Sequence, residues 1–145
     1  MEMPQNWLIA TDGSKYATMS VRYAAKLYKF LDPKPNVMLL NVISDPRSIR
    51  REPVEISAAD REKSKKVLIE ARSYFLEEAG SDESVSTMVA IGEPRQIIVE
   101  VVKSNNIDHL IMGGADYQWR ITDLLSGGVT NYILHHLNCV ITVIK

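Results

Sequence analysis

The sequence predicts a single α/β domain with a doubly wound, Rossmann-like fold around a five-stranded parallel sheet. Three observations predict it. Short, nearly all-apolar runs recur along the chain, of the kind that form strands buried on both faces. Between them lie longer stretches whose apolar residues repeat at helical spacing. The two kinds of segment alternate strictly, five strands with four helices, and such alternation argues parallel strands with helices on both faces.

Trp7 to Ala10 is the first strand. It ends at Thr11-Asp12-Gly13-Ser14, a turn cluster that also supplies N-cap residues for a helix from Lys15 to Leu31. Ala17, Val21, Ala24, Ala25 and Tyr28 share one face of that helix, and Asp32-Pro33-Lys34-Pro35 ends it. Val37 to Ile43 is almost wholly apolar and fits a central strand. From Ser44 to Glu55 proline and charge dominate, so this is a long loop; no second core could form around it. Ser57 to Asp60 resembles a capping box and opens a helix whose inner face is Val67, Leu68, Ala71, Tyr74 and Phe75. Gly80 stops it.

Val85 to Ile91 is the third strand, and Gly92-Glu93-Pro94 turns it into a helix with Pro94 in the first turn. Ile97, Ile98, Val101 and Val102 are that helix's apolar face, and Asn105-Asn106 ends it. His109 to Met112 is strand four, Val129 to Leu137 the last helix, and Val140 to Ile144 strand five.

The 145 residues, 46% of them hydrophobic, suffice for one domain spanning residues 1 to 145 with a full core. A net charge of −1 with interspersed signs argues against a nucleic-acid partner. No apolar stretch reaches the roughly 18 residues of a membrane helix. The start, MEMPQNW, lacks the basic and apolar regions of a secretion signal, so a cytoplasmic protein is expected. The lone Cys139 precedes an apolar run and reads as a buried core thiol.

The chemistry is expected where strand four gives way to the last helix. Gly113-Gly114 closes the strand, and the absence of Cβ atoms lets the chain turn and a ligand come close. Ser126-Gly127-Gly128 opens the last helix, whose first N–H groups, with Val129 and Thr130, suit a phosphate. Ligands of doubly wound sheets lie at the carboxyl ends of the strands. Thr11-Asp12-Gly13, Val42-Ile43-Ser44 and Gly113-Gly114 all follow strand ends, and they converge if strand one neighbours strand four.

With these residues in view, the chain resembles the universal stress protein family over nearly its whole length. The resemblance is carried by WLIATDGS with YAAKLYKFL, by VMLLNVI, by VAIGEPRQIIVEVVKSNNIDHLIMGG, and by LLSGGVTNYILHHLNCVITVIK. It implies an adenine-nucleotide alpha-hydrolase-like sheet in the order 3-2-1-4-5 and a homodimer through the C-terminal strand. It also implies a role in the stress response, with ATP or AMP as ligand in the nucleotide-binding members and magnesium accompanying ATP. On the family's pattern Ala10, Thr11 and Asp12 hold the adenosine near the end of strand one. Val42 offers a backbone contact to adenine, and Gly113, Gly114, Gly127, Gly128, Val129 and Thr130 face the phosphates.

The phosphate motif is degenerate in this chain. Family members that bind nucleotide have a glycine, two residues, a second glycine, nine residues, then glycine with serine or threonine. Counting back from Gly127 puts Tyr117 at the second glycine; counting forward from Gly113 puts Asp116 there. Gly128 stands at the hydroxyl position. Charge and bulk here oppose tight ATP binding.

Each candidate also has a plainer role. Asp12 can cap the first helix with Gly13 and Ser14, and the glycine pairs can be tight turns. Arg47, Arg50 and Arg51 form either a solvated face or a lid over phosphates. His135 and His136 point in different directions on their helix and do not share a metal. No Walker A lysine, Ser-His-Asp order or metal-ligand spacing occurs. A binding module is therefore expected rather than an enzyme. A nucleotide-free dimeric signalling module and a slow ATP hydrolase are the alternatives.

Overall fold

The computed structural model describes residues 2–45, 55–80, 85–114 and 129–145, with only the backbone of residues 129 and 130. Strands β1 (Asn6–Ala10), β2 (Asn36–Ser44), β3 (Val85–Gly92), β4 (His109–Gly113) and β5 (Val140–Ile144) alternate with helices α1 (Lys15–Lys29), α2 (Ala58–Ala79), α3 (Pro94–Ser104) and α4 (Val129–His136). All four strand pairings are parallel, in the order β3-β2-β1-β4-β5. The chain thus winds outward from β1 in both directions, and β1 neighbours β4 as the convergence of strand ends required.

Alternation along each strand sorts the core into two layers. Trp7, Ile9, Val37, Leu39 and Ile111 pack against α1 and α2, with Val21, Tyr28, Leu68 and Phe75 filling the layer. Leu8, Leu40, Leu110 and Met112 face the other way, onto Ile98, Val102, Ile133 and Leu137. Each such side chain contributes about 1.5–3 kcal/mol by leaving water.

The helix ends are set locally. The Ser57 hydroxyl accepts from the Asp60 N–H at 3.1 Å. Gly80 at φ 77° closes α2 with its N–H on the Leu76 carbonyl, a left-handed geometry that favours glycine. At α3 the Glu93 carboxylate accepts from the Gln96 N–H, and Pro94 lies in the first turn. Helix α1 ends at Lys29, two residues before the sequence expectation. There the Lys34 ammonium donates to the Tyr28 and Lys29 carbonyls at 2.9 and 2.7 Å, and the Tyr28 carbonyl also accepts from the Leu31 N–H at 3.1 Å.

Two expectations are corrected. Cys139 is half-buried rather than a core thiol, because it precedes an edge strand covered on one side only; its partial burial still pushes the thiol pKa up. Gly113 is not a turn residue. It belongs to β4, pairs with Ile144, and Gly114 continues the ladder with its N–H on the Ile144 carbonyl at 2.8 Å. A Cβ at Gly113 would lie 2.6 Å from the Ala17 nitrogen and the Tyr16 carbonyl carbon. Glycine is required there because the first turn of α1 crosses directly over the strand.

Candidate functional site

At the carboxyl end of the sheet, β1 is the strand from which the chain departs in opposite directions, and a crevice opens there. Ala10, Thr11, Asp12 and Ser14 line it from β1 and the turn after it, Leu40, Asn41 and Val42 from β2, Pro94 and Ile98 from α3, and Met112 and Gly113 from β4. The floor is aliphatic, and polar groups converge from the β1 turn and β2, which is the usual build of a small-molecule site.

The turn that carries Asp12 is held by its own side chains. Thr11 Oγ1 accepts from the Gly13 N–H at 3.2 Å, and Asp12 Oδ1 accepts from the Ser14 N–H at 2.9 Å. Gly13 takes φ 80°, and its Cα faces Val67 of α2. Ser14 occupies the N-cap position of α1 without a capping bond from its side chain. Asp12 therefore shapes the turn before the helix rather than capping it, and one of its carboxylate oxygens serves that turn.

Five of the expected site residues meet in this crevice: Ala10, Thr11, Asp12, Val42 and Gly113. Gly114 lies just beyond, buried, with its N–H on β5. Val129 and Thr130 begin α4 as the sequence predicts. Gly127 and Gly128 lie outside the described residues, as do Asp116, Tyr117, Arg47, Arg50 and Arg51. Among the described residues, no group of three His, Cys, Asp or Glu side chains could hold a metal ion. His136 instead stacks on Tyr132 at 3.9 Å and hydrogen-bonds its carbonyl.

Sequence reasoning missed Asn41. It is 7% exposed, the one polar residue in the run from Val37 to Ile43, and it lines the crevice. Its Nδ2 donates to the Thr11 carbonyl at 2.8 Å, and its Oδ1 accepts from the Ser64 hydroxyl at 2.6 Å. The signal was visible as one polar residue in VMLLNVI, matched by one serine on the inner face of α2. Pro94, Ile98 and Met112 were also missed as lining residues, since apolar side chains at strand and helix ends carry no signature of a site.

A parallel sheet wound outward from β1, with a crevice where the winding reverses, defines a doubly wound α/β domain. The sequence model of the universal stress protein family matches residues 3–145. The chain belongs to that family. A universal stress protein of Synechocystis sp. is 33% identical over 54 residues, which is 37% of this chain and 49% of the relative, so the match spans about half of that relative's length. Among solved structures, a universal stress protein in complex with cAMP superimposes with a TM-score of 0.74 at 16% identity, over 99% of this chain and 98% of that one. A universal stress protein from Archaeoglobus fulgidus gives 0.69 at 18% identity, covering 100% of both chains. UspA from Lactobacillus plantarum gives 0.65 at 20% identity over 97% of each. At these identities the structures establish the shared fold. Among the described residues no helix is long and apolar enough to cross a membrane.

Proposed function

We propose that this universal stress protein is a binding module of the stress response whose crevice takes an adenine nucleotide, ATP or AMP. The observation that carries the reading is the meeting of Ala10, Thr11 and Asp12 with Val42 and Gly113 at the switch point of the sheet. The cAMP complex of a structural neighbour supports the same class of ligand. In this reading Leu40, Ile98 and Met112 supply aliphatic surface to the base, and the Asp12 carboxylate accepts from ribose hydroxyls. The N-terminus of α4, with Gly127, Gly128, Val129 and Thr130, receives the phosphates through N–H groups and the positive end of the helix dipole. Asp116 or Tyr117 stands where nucleotide-binding members carry the second glycine, and charge or bulk at that position favours AMP over ATP.

Calorimetric titration with AMP and ATP tests this. Saturable binding is expected, weaker for ATP, and Asp12→Ala should weaken both by about tenfold through the lost charged acceptor. Absence of binding at millimolar nucleotide would place the chain among nucleotide-free signalling modules, the reading that the degenerate glycine motif favours. The protein is proposed to act by binding rather than by turnover, so phosphate release from ATP should not exceed the buffer rate.

The proposed assembly is a homodimer through β5, an edge strand whose Ile141 and Val143 are half-buried in the single chain. An open apolar edge invites pairing with a second copy. Ile141→Lys is expected to give monomer by sedimentation; a species of unchanged mass would refute the pairing.

A further inference from the structure

The pairing of β1 with β2 stops early at the crevice. The register ends at Ala10 opposite Leu40, and the Thr11 N–H still donates to the Leu40 carbonyl at 2.9 Å. Peptide groups two residues apart on a strand point the same way, so the next rung of a parallel ladder would run from the Val42 N–H to the Thr11 carbonyl. The ladder has ended before that rung. The Thr11 carbonyl accepts from Asn41 Nδ2 instead, at 2.8 Å.

Asn41 has little freedom to do otherwise. Thr11 offers a carbonyl, which only accepts, so the amide NH2 must face it and Oδ1 is left for a donor. Ser64, 2% exposed on the inner face of α2, is that donor at 2.6 Å. Both bonds are buried, and the amide cannot rotate without losing one of them.

We infer that Asn41, held by Ser64, is a positioning residue: it draws off the Thr11 carbonyl and keeps the Val42 N–H out of the ladder. Val42 lines the crevice, and its N–H is thereby a ready donor to the hydrogen-bonding edge of a planar heteroaromatic ring. No rung has to break when a ligand arrives, so the binding geometry is prepared in advance. The identity of the ligand rests on the adenine-nucleotide reading above; the state of the Val42 amide does not.

Amide hydrogen exchange resolved by residue, combined with AMP titration of the full chain, tests the inference. In the free protein the Val42 amide should exchange at least about tenfold faster than the Leu40 amide, which lies inside the ladder, and AMP should slow it. The double variant Asn41→Leu, Ser64→Ala removes both partners and leaves no buried polar group unpaired. It should close the rung, protect Val42 without ligand, and lower AMP affinity about tenfold. Asn41→Asp keeps the shape but loses the donor, and it carries the same test if the double variant does not fold. A Val42 amide as protected as Leu40 in the free protein would overturn the inference. So would variants whose AMP affinity falls while Val42 exchange stays fast. If the wild type binds neither AMP nor ATP yet the variants still protect Val42, the nucleotide reading falls and the role of Asn41 stands.

Discussion

The two ends of the sheet are built from the same parallel strands yet are finished in opposite ways. At the amino end, the Asp108 carboxylate accepts from the Gln5 and Asn6 N–H groups at 2.9 and 2.8 Å. The Asp108 backbone donates to the Asn6 carbonyl and accepts from the Val140 N–H. One residue thus fastens β1, β4 and β5 together, adding charged hydrogen bonds to a ladder that is already complete. At the carboxyl end, Asn41 takes a backbone carbonyl out of the ladder, and the strands part around the crevice. A polar side chain beside a strand end can close the sheet or open it. The outcome depends on whether it binds groups the ladder has left over or groups the ladder would have used.

The largest effect should come from filling the space at Gly113. A side chain there meets backbone of α1 at 2.6 Å, and backbone yields far less readily than the tip of a flexible side chain. Gly113→Val is expected to cost about 3 kcal/mol or more, measured by chemical denaturation, and so to threaten folding outright. A stable Gly113→Val protein would mean that α1 does not cross β4 this closely, and the carboxyl end would then be looser than described.

The second effect separates the two ends. Asp108→Ala leaves two half-buried N–H groups without their acceptor, and about 2 kcal/mol of stability should be lost. The crevice lies at the far end of the strands, so AMP affinity should stay within about twofold of wild type once the variant is folded. A parallel loss of affinity would show that the two ends are coupled.

The smallest effect concerns pH. His109 begins β4, is 6% exposed, packs edge-on against Trp7 and hydrogen-bonds Thr142 at 2.8 Å. Burial holds its pKa below the ordinary histidine value, and Asp108 only partly opposes this. The folded protein therefore binds fewer protons than the unfolded chain near and below about pH 6.5. The stability that neutral His109 supports is full above that pH and declines as pH falls through it. Denaturation at pH 8 and pH 5 should show a larger acid loss in wild type than in His109→Gln. Equal losses would assign acid sensitivity to other groups.

Much of this was legible because it is periodic or local. Each predicted strand and helix is present, and the three helix-end signals at Ser57, Gly80 and Pro94 operate within four residues of where they stand. The turn role of Asp12 was legible for a related reason: it follows a strand and precedes a helix, and turn chemistry is a property of neighbours. Gly113 was placed correctly but explained wrongly. A glycine required by a crossing helix looks the same in sequence as a glycine required by a turn.

By itself the sequence determined the alternation of strands and helices, their faces and their caps, since these depend on residues a few positions apart. Periodicity and caps left open which strands are neighbours; that β1 lies between β2 and β4 was implied only by the family resemblance. The sheet shows it, so that Thr11, Val42 and Gly113 share a crevice. Tertiary structure alone decided what Asn41 does. The polar residue stood out in its strand, but its partners lie 30 residues before it and 23 after it. Contacts across such separations leave no period to read; they exist only once the sheet and α2 have brought those backbones together.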